Sequence, residues 1–159
     1  MIWMMLACGL EPGGGGKFDD SESLDSIPGD DSGDSGPDSR EDLAEAPGNI
    51  VLTELMIDSD QVPDEQGEWI ELLNIGVLPV DLQGLVLQDG ENEGYTLPSS
   101  LRVEPGQRVI LAAAAAELNG GIAVDHVYVR DEFSLSNEGA TLRLLWGDRL
   151  VDALSYDAS

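Results

Sequence analysis

The chain has 159 residues, of which 32 are acidic and 7 are basic, so its net charge of -25 disfavours nucleic acid and anionic lipid surfaces as partners. Residues 49–159 alone carry 20 acidic residues and 5 arginines, and they contain no basic stripe for phosphate contacts. Cys8 is the only cysteine, which excludes an internal disulfide and a thiolate zinc site. The length fits one domain with a single packed core, plus a tail.

The first eight residues form an apolar run that ends in Leu6, Ala7 and Cys8. This ending resembles the processing site of a bacterial lipoprotein signal, in which a small residue precedes the cysteine that receives the acyl chains. The resemblance implies an extracytoplasmic protein on the bacterial outer membrane or cell surface, which contacts the membrane only through a lipid anchor on Cys8. The alternative is an N-terminus in which the cysteine has no function.

Residues 9–48 contain four consecutive glycines followed by runs of Asp, Ser and Gly. Because such a segment cannot bury enough apolar surface to offset its ordering entropy, we predict a disordered acidic linker, with a root-mean-square span of about 35 Å. Asp30, Ser32 and Asp34 have the alternating spacing of a calcium loop, but Ser35 stands where that loop requires glycine. We therefore favour loosely held counter-ions over a defined calcium site in the linker.

Residues 49–159 consist of short apolar runs separated by Gly, Pro, Asn and Asp, which predicts an all-β sandwich. The predicted strands are residues 50–57, 68–74, 85–88, 95–97, 108–113, 126–130, 141–146 and 150–156. Alternation places Leu142, Leu144 and Trp146 on one face, and we predict Trp146 to lie in the core. The five alanines within residues 112–118 favour a brief helical turn.

The sequence of these strands resembles the lamin-tail domain family, which has an immunoglobulin-like fold. The residues that carry the resemblance are Glu54 in the first strand, Glu68, Trp69, Glu71 and Asn74 in the second, Gly84 and Asp89 around the third, and Asn137 and Gly139 before the seventh. The most specific segment is Glu-Trp-Ile-Glu-Leu followed by Asn. The resemblance implies an immunoglobulin-like β-sandwich that has no catalytic activity and acts as a binding or positioning module.

Two glutamates fall within apolar strands and are candidates for chemistry. Alternation puts Glu54 on the same face as Leu52 and Met56, and Glu71 on the same face as Trp69. Two carboxylates on neighbouring strands could serve as general acid and base, as in glycoside hydrolysis. We favour the alternative that they accept hydrogen bonds from the backbone or from arginine, because structural ion pairs often mimic active sites.

The segment from Asp89 to Gly94 matches the first half of a calcium loop, with oxygen ligands at Asp89, Glu91 and Glu93 and a glycine at the sixth position. The closing position holds Ser100 instead of glutamate, and a polar hairpin loop would have the same composition. Calcium is thus the one cofactor for which the sequence offers candidate ligands. His126, the only histidine, is predicted to be a surface residue of a strand.

These observations predict a non-catalytic extracytoplasmic binding or structural module, displayed on a lipid-anchored flexible stalk. The expected partner is a protein or a polysaccharide of the cell envelope. The alternatives are a small carboxylate-dependent hydrolase and an accessory subunit of a separately encoded secreted enzyme.

Overall fold

The computed structural model describes the backbone of residues 3–5 and the whole of residues 47–91 and 94–157. The predicted lipidation site Cys8, the linker and the calcium candidate Glu93 lie outside these ranges. Among the described residues, no helix has the length and apolar character needed to cross a membrane.

The described part of the chain is built almost entirely from strands. In chain order, the elements are β1 (Trp3–Met5), β2 (Ile50–Met56), α1 (Asp64–Gly67), β3 (Trp69–Asn74), β4 (Val80–Asp81), β5 (Leu85–Asp89), β6 (Tyr95–Thr96), β7 (Arg102–Val103), β8 (Arg108–Ala112), β9 (His126–Val127), β10 (Gly139–Trp146) and β11 (Arg149–Asp157). One sheet has the order β1-β2-β3-β8-β9, a second has the order β11-β10-β5-β6, and β4 pairs with β7. All pairings are antiparallel except that of β8 with β9.

The all-β prediction is confirmed, and each of the eight predicted strands corresponds to an observed one. Sequence reasoning missed β1, the two-residue strands β4 and β7, and the single turn of α1. The helical turn predicted for residues 112–118 is displaced toward the C-terminus, because Ala112 belongs to β8 and residues 116–120 form the turn. Two helix-like hydrogen bonds remain there, from the N–H groups of Leu118 and Asn119 to the carbonyl of Ala115.

The two main sheets share one hydrophobic core, to which their inward faces contribute alternate residues. Leu142 and Leu144 of β10 are fully buried there, as their spacing predicts. Trp146 is only partly buried, so its prediction as a core residue is corrected. It is the last residue of β10, and its ring covers Gly84, where an added Cβ atom would lie 3.4 Å from two ring carbons.

An irregularity in β2 changes which of its residues face the core. The register of β2 against β3 shifts between Leu52 and Glu54, so that both Leu52 and Leu55 are buried in the main core. Glu54 pairs across the strands with Glu71, which alternates with core residues and therefore lies on the outer face of the sheet. The prediction that Glu54 shares a face with Leu52 is wrong, because the extra residue at Thr53 resets the alternation.

Candidate functional site

Glu68 immediately precedes β3 and is fully buried. Its Oε2 accepts hydrogen bonds from the Leu135 N–H at 3.2 Å and from the Tyr128 hydroxyl at 3.3 Å. Its Oε1 lies 3.1 Å from Nη2 of Arg130. Burial raises the pKa of Glu68, and the Leu135 N–H and the Arg130 charge only partly offset that effect.

Asp89 ends β5 in the second sheet, and it is also buried. Its Oδ2 accepts hydrogen bonds from the Ser136 N–H and from the Tyr156 hydroxyl, both at 2.8 Å. Burial, followed by the hydrogen bond to Asp89, raises the pKa of Tyr156. The neighbouring amides of residues 135 and 136 are therefore held by two carboxylates, one associated with each sheet. We call residues 129–138 the carboxylate-held loop.

The remaining motif residues around this loop also have structural roles. Asn137 donates a side-chain hydrogen bond at 3.2 Å to Asp64 of α1, which also lies 3.7 Å from Arg130. Gly139 begins β10 with a φ of 90°, a conformation that side chains rarely adopt. Gly84 has a φ of 89° and lies under the Trp146 ring. The motif thus specifies loop geometry at several separate points.

Asn74, the last residue of β3, organises a second loop. Its side-chain amide donates hydrogen bonds to the carbonyls of Leu78 and Val103, both at 2.9 Å, and its Oδ1 accepts one from the Gly76 N–H at 2.8 Å. Asn74 is fully buried, and its hydrogen bond to the Val103 carbonyl is buried, while the other two are partly buried. The side chain fixes the path of residues 75–79 between β3 and β4.

Two aspartates that were not selected as site residues from the sequence have comparable roles. Asp152 of β11 accepts a hydrogen bond at 2.8 Å from the Leu52 N–H of β2, and so joins the two sheets. Asp81 accepts hydrogen bonds from the N–H groups of Gln83 and Leu101. Burial acts to raise the pKa of Asp81, but these bonds and one from the hydroxyl of Ser100 outweigh it and lower the pKa. A polar residue at a strand end or within an apolar strand is the only sequence signal for such roles.

Of the two glutamates on the outer face of the first sheet, only Glu71 has the arrangement that we favoured from the sequence, since Oε1 of Glu54 is buried without a hydrogen-bond partner. Glu71 accepts hydrogen bonds from the Thr53 hydroxyl at 2.6 Å and from Nε of Arg108 at 3.0 Å. Burial and the neighbouring charge of Glu71 raise the pKa of Glu54. A cleft of about 400 Å³ on the same side of the sheet is lined by residues that include Met56 and Trp69, but neither glutamate lines it.

The described residues contain no group of three or more His, Cys, Asp or Glu side chains that could hold a metal ion. Asp89 uses one carboxylate oxygen to hold the carboxylate-held loop, and Glu91 is exposed. Calcium binding by Asp89, Glu91 and Glu93 therefore stays a prediction. His126 is partly buried on β9, where its Nε2 lies 2.8 Å from the Tyr95 hydroxyl and burial lowers its pKa.

The fold and these loops define an immunoglobulin-like β-sandwich whose buried polar residues shape its loops. The sequence matches the lamin tail domain family over residues 44–158, and the chain belongs to this family. The family is one of non-enzymatic, immunoglobulin-like binding or structural domains. A search of curated proteins found no match.

Proposed function

We propose that this protein is a non-catalytic extracytoplasmic binding or structural module, displayed on a flexible stalk that is lipid-anchored at Cys8. The observation that carries the non-catalytic part is the use made of the buried polar motif residues. Glu68, Asp89 and Asn74 each direct at least one side-chain oxygen or nitrogen to a backbone group of a neighbouring loop. Polar groups that are committed to holding loops are not available to bind a substrate or transfer its protons.

Loops held in this manner suit recognition. A binding surface that is fixed before the partner arrives loses less conformational entropy on association, which improves affinity. Loops at the ends of a sandwich are also where such folds usually carry their binding residues. We infer that the partner is a protein or polysaccharide of the cell envelope.

The stalk and the anchor are inferred from the sequence of residues 1–48. The apolar run before Cys8 and the acidic linker after it together match an anchored spacer. In the unprocessed chain, the backbone of Trp3–Met5 pairs with the outer edge of β2 from Met56 to Glu54. Cleavage before Cys8 would remove β1, so that a processed chain and an unprocessed chain differ at this edge.

The anchor is tested by labelling cells that express the full chain with radioactive palmitate. We expect label on the wild type, which should be found in the membrane fraction, and no label on Cys8→Ser. Ser21→Ala, a change within the predicted linker, is the control and should keep the label. Equal labelling of the wild type and Cys8→Ser would refute lipidation at this residue.

A hydrolase is the second candidate, and one observation supports it. Burial and the neighbouring charge of Glu71 raise the pKa of Glu54, which pairs across the strands with Glu71, and a carboxyl group with a raised pKa can serve as a general acid. The test is to incubate the full chain with envelope polysaccharides and to compare Glu54→Gln and Glu71→Gln with the exposed control Glu138→Gln. Turnover that only the first two substitutions abolish would establish the enzyme and exclude our primary proposal.

A further inference from the structure

The loop between β3 and β4 exposes several apolar side chains. Val77 is 89% exposed, Ile75 is 60% exposed and Leu78 is 39% exposed. We call these three residues the apolar tip. Single exposed apolar residues are common on protein surfaces, but three within four positions of one loop form a contiguous patch, and such patches often mark contact sites.

The apolar tip is held in place. Asn74 binds the backbone of Gly76 and Leu78 from below, and the Ile75 N–H donates a hydrogen bond to the Asn49 carbonyl at 2.9 Å. Gly76 packs so closely on Asn49 that an added Cβ atom would lie 2.9 Å from the amide nitrogen of that side chain. Because the backbone is fixed on both sides, the apolar side chains cannot turn inward to reach the core.

The chain enters the domain beside the apolar tip. Residues 47–49 lead from the linker into β2, and Asn49 is the residue that bonds Ile75. Arg149 approaches Gly48, and the next residue, Leu150, is 53% exposed. A lipid anchor at the far end of the linker would therefore pull on the end of the sandwich that carries the apolar tip.

Arginines are also present at this end. Arg108 pairs across the strands with Leu73, next to Asn74, and Arg102 precedes Val103, whose carbonyl Asn74 binds. With Arg149, three of the five arginines of residues 49–159 lie near the apolar tip. Arg108 is paired with Glu71 at 3.0 Å and Arg102 with Glu104 at 2.9 Å, so these arginines give this end of the domain no excess of positive charge. The net charge of -15 over the same residues opposes a strongly anionic surface.

We propose that the apolar tip inserts into the interface of a zwitterionic lipid bilayer, so that the domain docks on the membrane that anchors it. A short apolar patch binds a bilayer weakly. A flexible tether raises the local concentration to the millimolar range, where weak binding suffices. This effect of the tether rests on the proposed anchor, whereas insertion of the tip does not.

The test uses the purified full chain with Cys8→Ser, which cannot be acylated, in flotation with phosphatidylcholine vesicles. We expect measurable binding that Val77→Asp reduces by about tenfold or more, because burial of one aliphatic side chain has at least that effect on a partition constant. Leu118→Asp is the matched control, since Leu118 is 55% exposed and follows β8 at the opposite end of the sheet. Both variants should retain the melting temperature of Cys8→Ser. Anionic vesicles should bind less.

Three outcomes would overturn the proposal. One is no flotation of Cys8→Ser, and another is equal loss in Val77→Asp and Leu118→Asp. The third is a dimer or an envelope-protein complex that Val77→Asp dissociates while flotation is unchanged, which would assign the apolar tip to a protein partner. Palmitate labelling of the wild type reports on the anchor alone, so failure of the docking proposal and failure of the anchor are distinguishable.

Discussion

Asn74→Ala removes the side chain that fixes the loop between β3 and β4. The substitution deletes three hydrogen bonds, two donated to the carbonyls of Leu78 and Val103 and one accepted from the Gly76 N–H. At about 1 kcal/mol of net stability for each bond, the free energy of unfolding should fall by about 3 kcal/mol. For a domain of this size, that loss corresponds to a decrease in melting temperature of roughly 12 °C.

The assay is urea denaturation at pH 7, followed by tryptophan fluorescence. Gln83→Ala is the control, because Gln83 is exposed and its side chain makes a single hydrogen bond at 3.3 Å to the Pro98 carbonyl. This control should cost less than about 0.5 kcal/mol. A loss of stability in Asn74→Ala no larger than in the control would refute the conclusion that the buried amide organises the loop.

Three further predictions concern the other interactions. Because the folded pKa of Glu68 is raised, its contribution to stability is greatest below about pH 4.5 and declines as the pH rises through the folded pKa. Glu68→Gln should therefore make the free energy of unfolding, measured by urea titration, less dependent on pH. The exposed control Glu138→Gln should leave this pH dependence unchanged. Gly84→Ala should lower the free energy of unfolding by about 1–2 kcal/mol, because Gly84 has a positive φ and lies under the Trp146 indole. The loss should be smaller for Gly106→Ala, since Gly106 has open space around it. Equal losses of stability in thermal melts would count against the ring contact. Removal of residues 1–7 should speed amide hydrogen exchange within Glu54–Met56, because these residues pair with β1. The Leu52 amide should stay protected by its hydrogen bond to Asp152. Unchanged exchange within Glu54–Met56 would contradict the pairing with β1.

The sequence predicted those features of the fold that depend on local periodicity. The alternation in β10 placed Leu142 and Leu144 correctly, because a period of two is visible over eight residues. Strands β4 and β7 have two residues each, which is too short for any period to be seen. No residue type marks the register shift at Thr53, so strict alternation placed Glu54 on the wrong face of β2.

The roles of the polar motif residues were harder to predict, because their partners are distant in the chain. Asp152 and Leu52 are 100 positions apart, and Asp89 and Ser136 are 47 positions apart. The family resemblance identified Glu68, Asp89 and Asn74 as noteworthy without indicating what they bind. Only the pairing of the sheets brings each side chain to the backbone group that it holds. The burial of Trp146 was mispredicted for a related reason, because its ring lies over the distant Gly84 and the residue is the last of β10.

Asp152 has a consequence for association between copies of the domain. Open strand edges invite neighbouring molecules to add their own strands. The carboxylate of Asp152 already occupies the Leu52 N–H of β2, which a neighbouring molecule would need in order to begin such an addition. The Asp152 side chain thereby blocks one hydrogen-bond donor of this strand edge, and the stretch from Glu54 to Met56 is covered by β1.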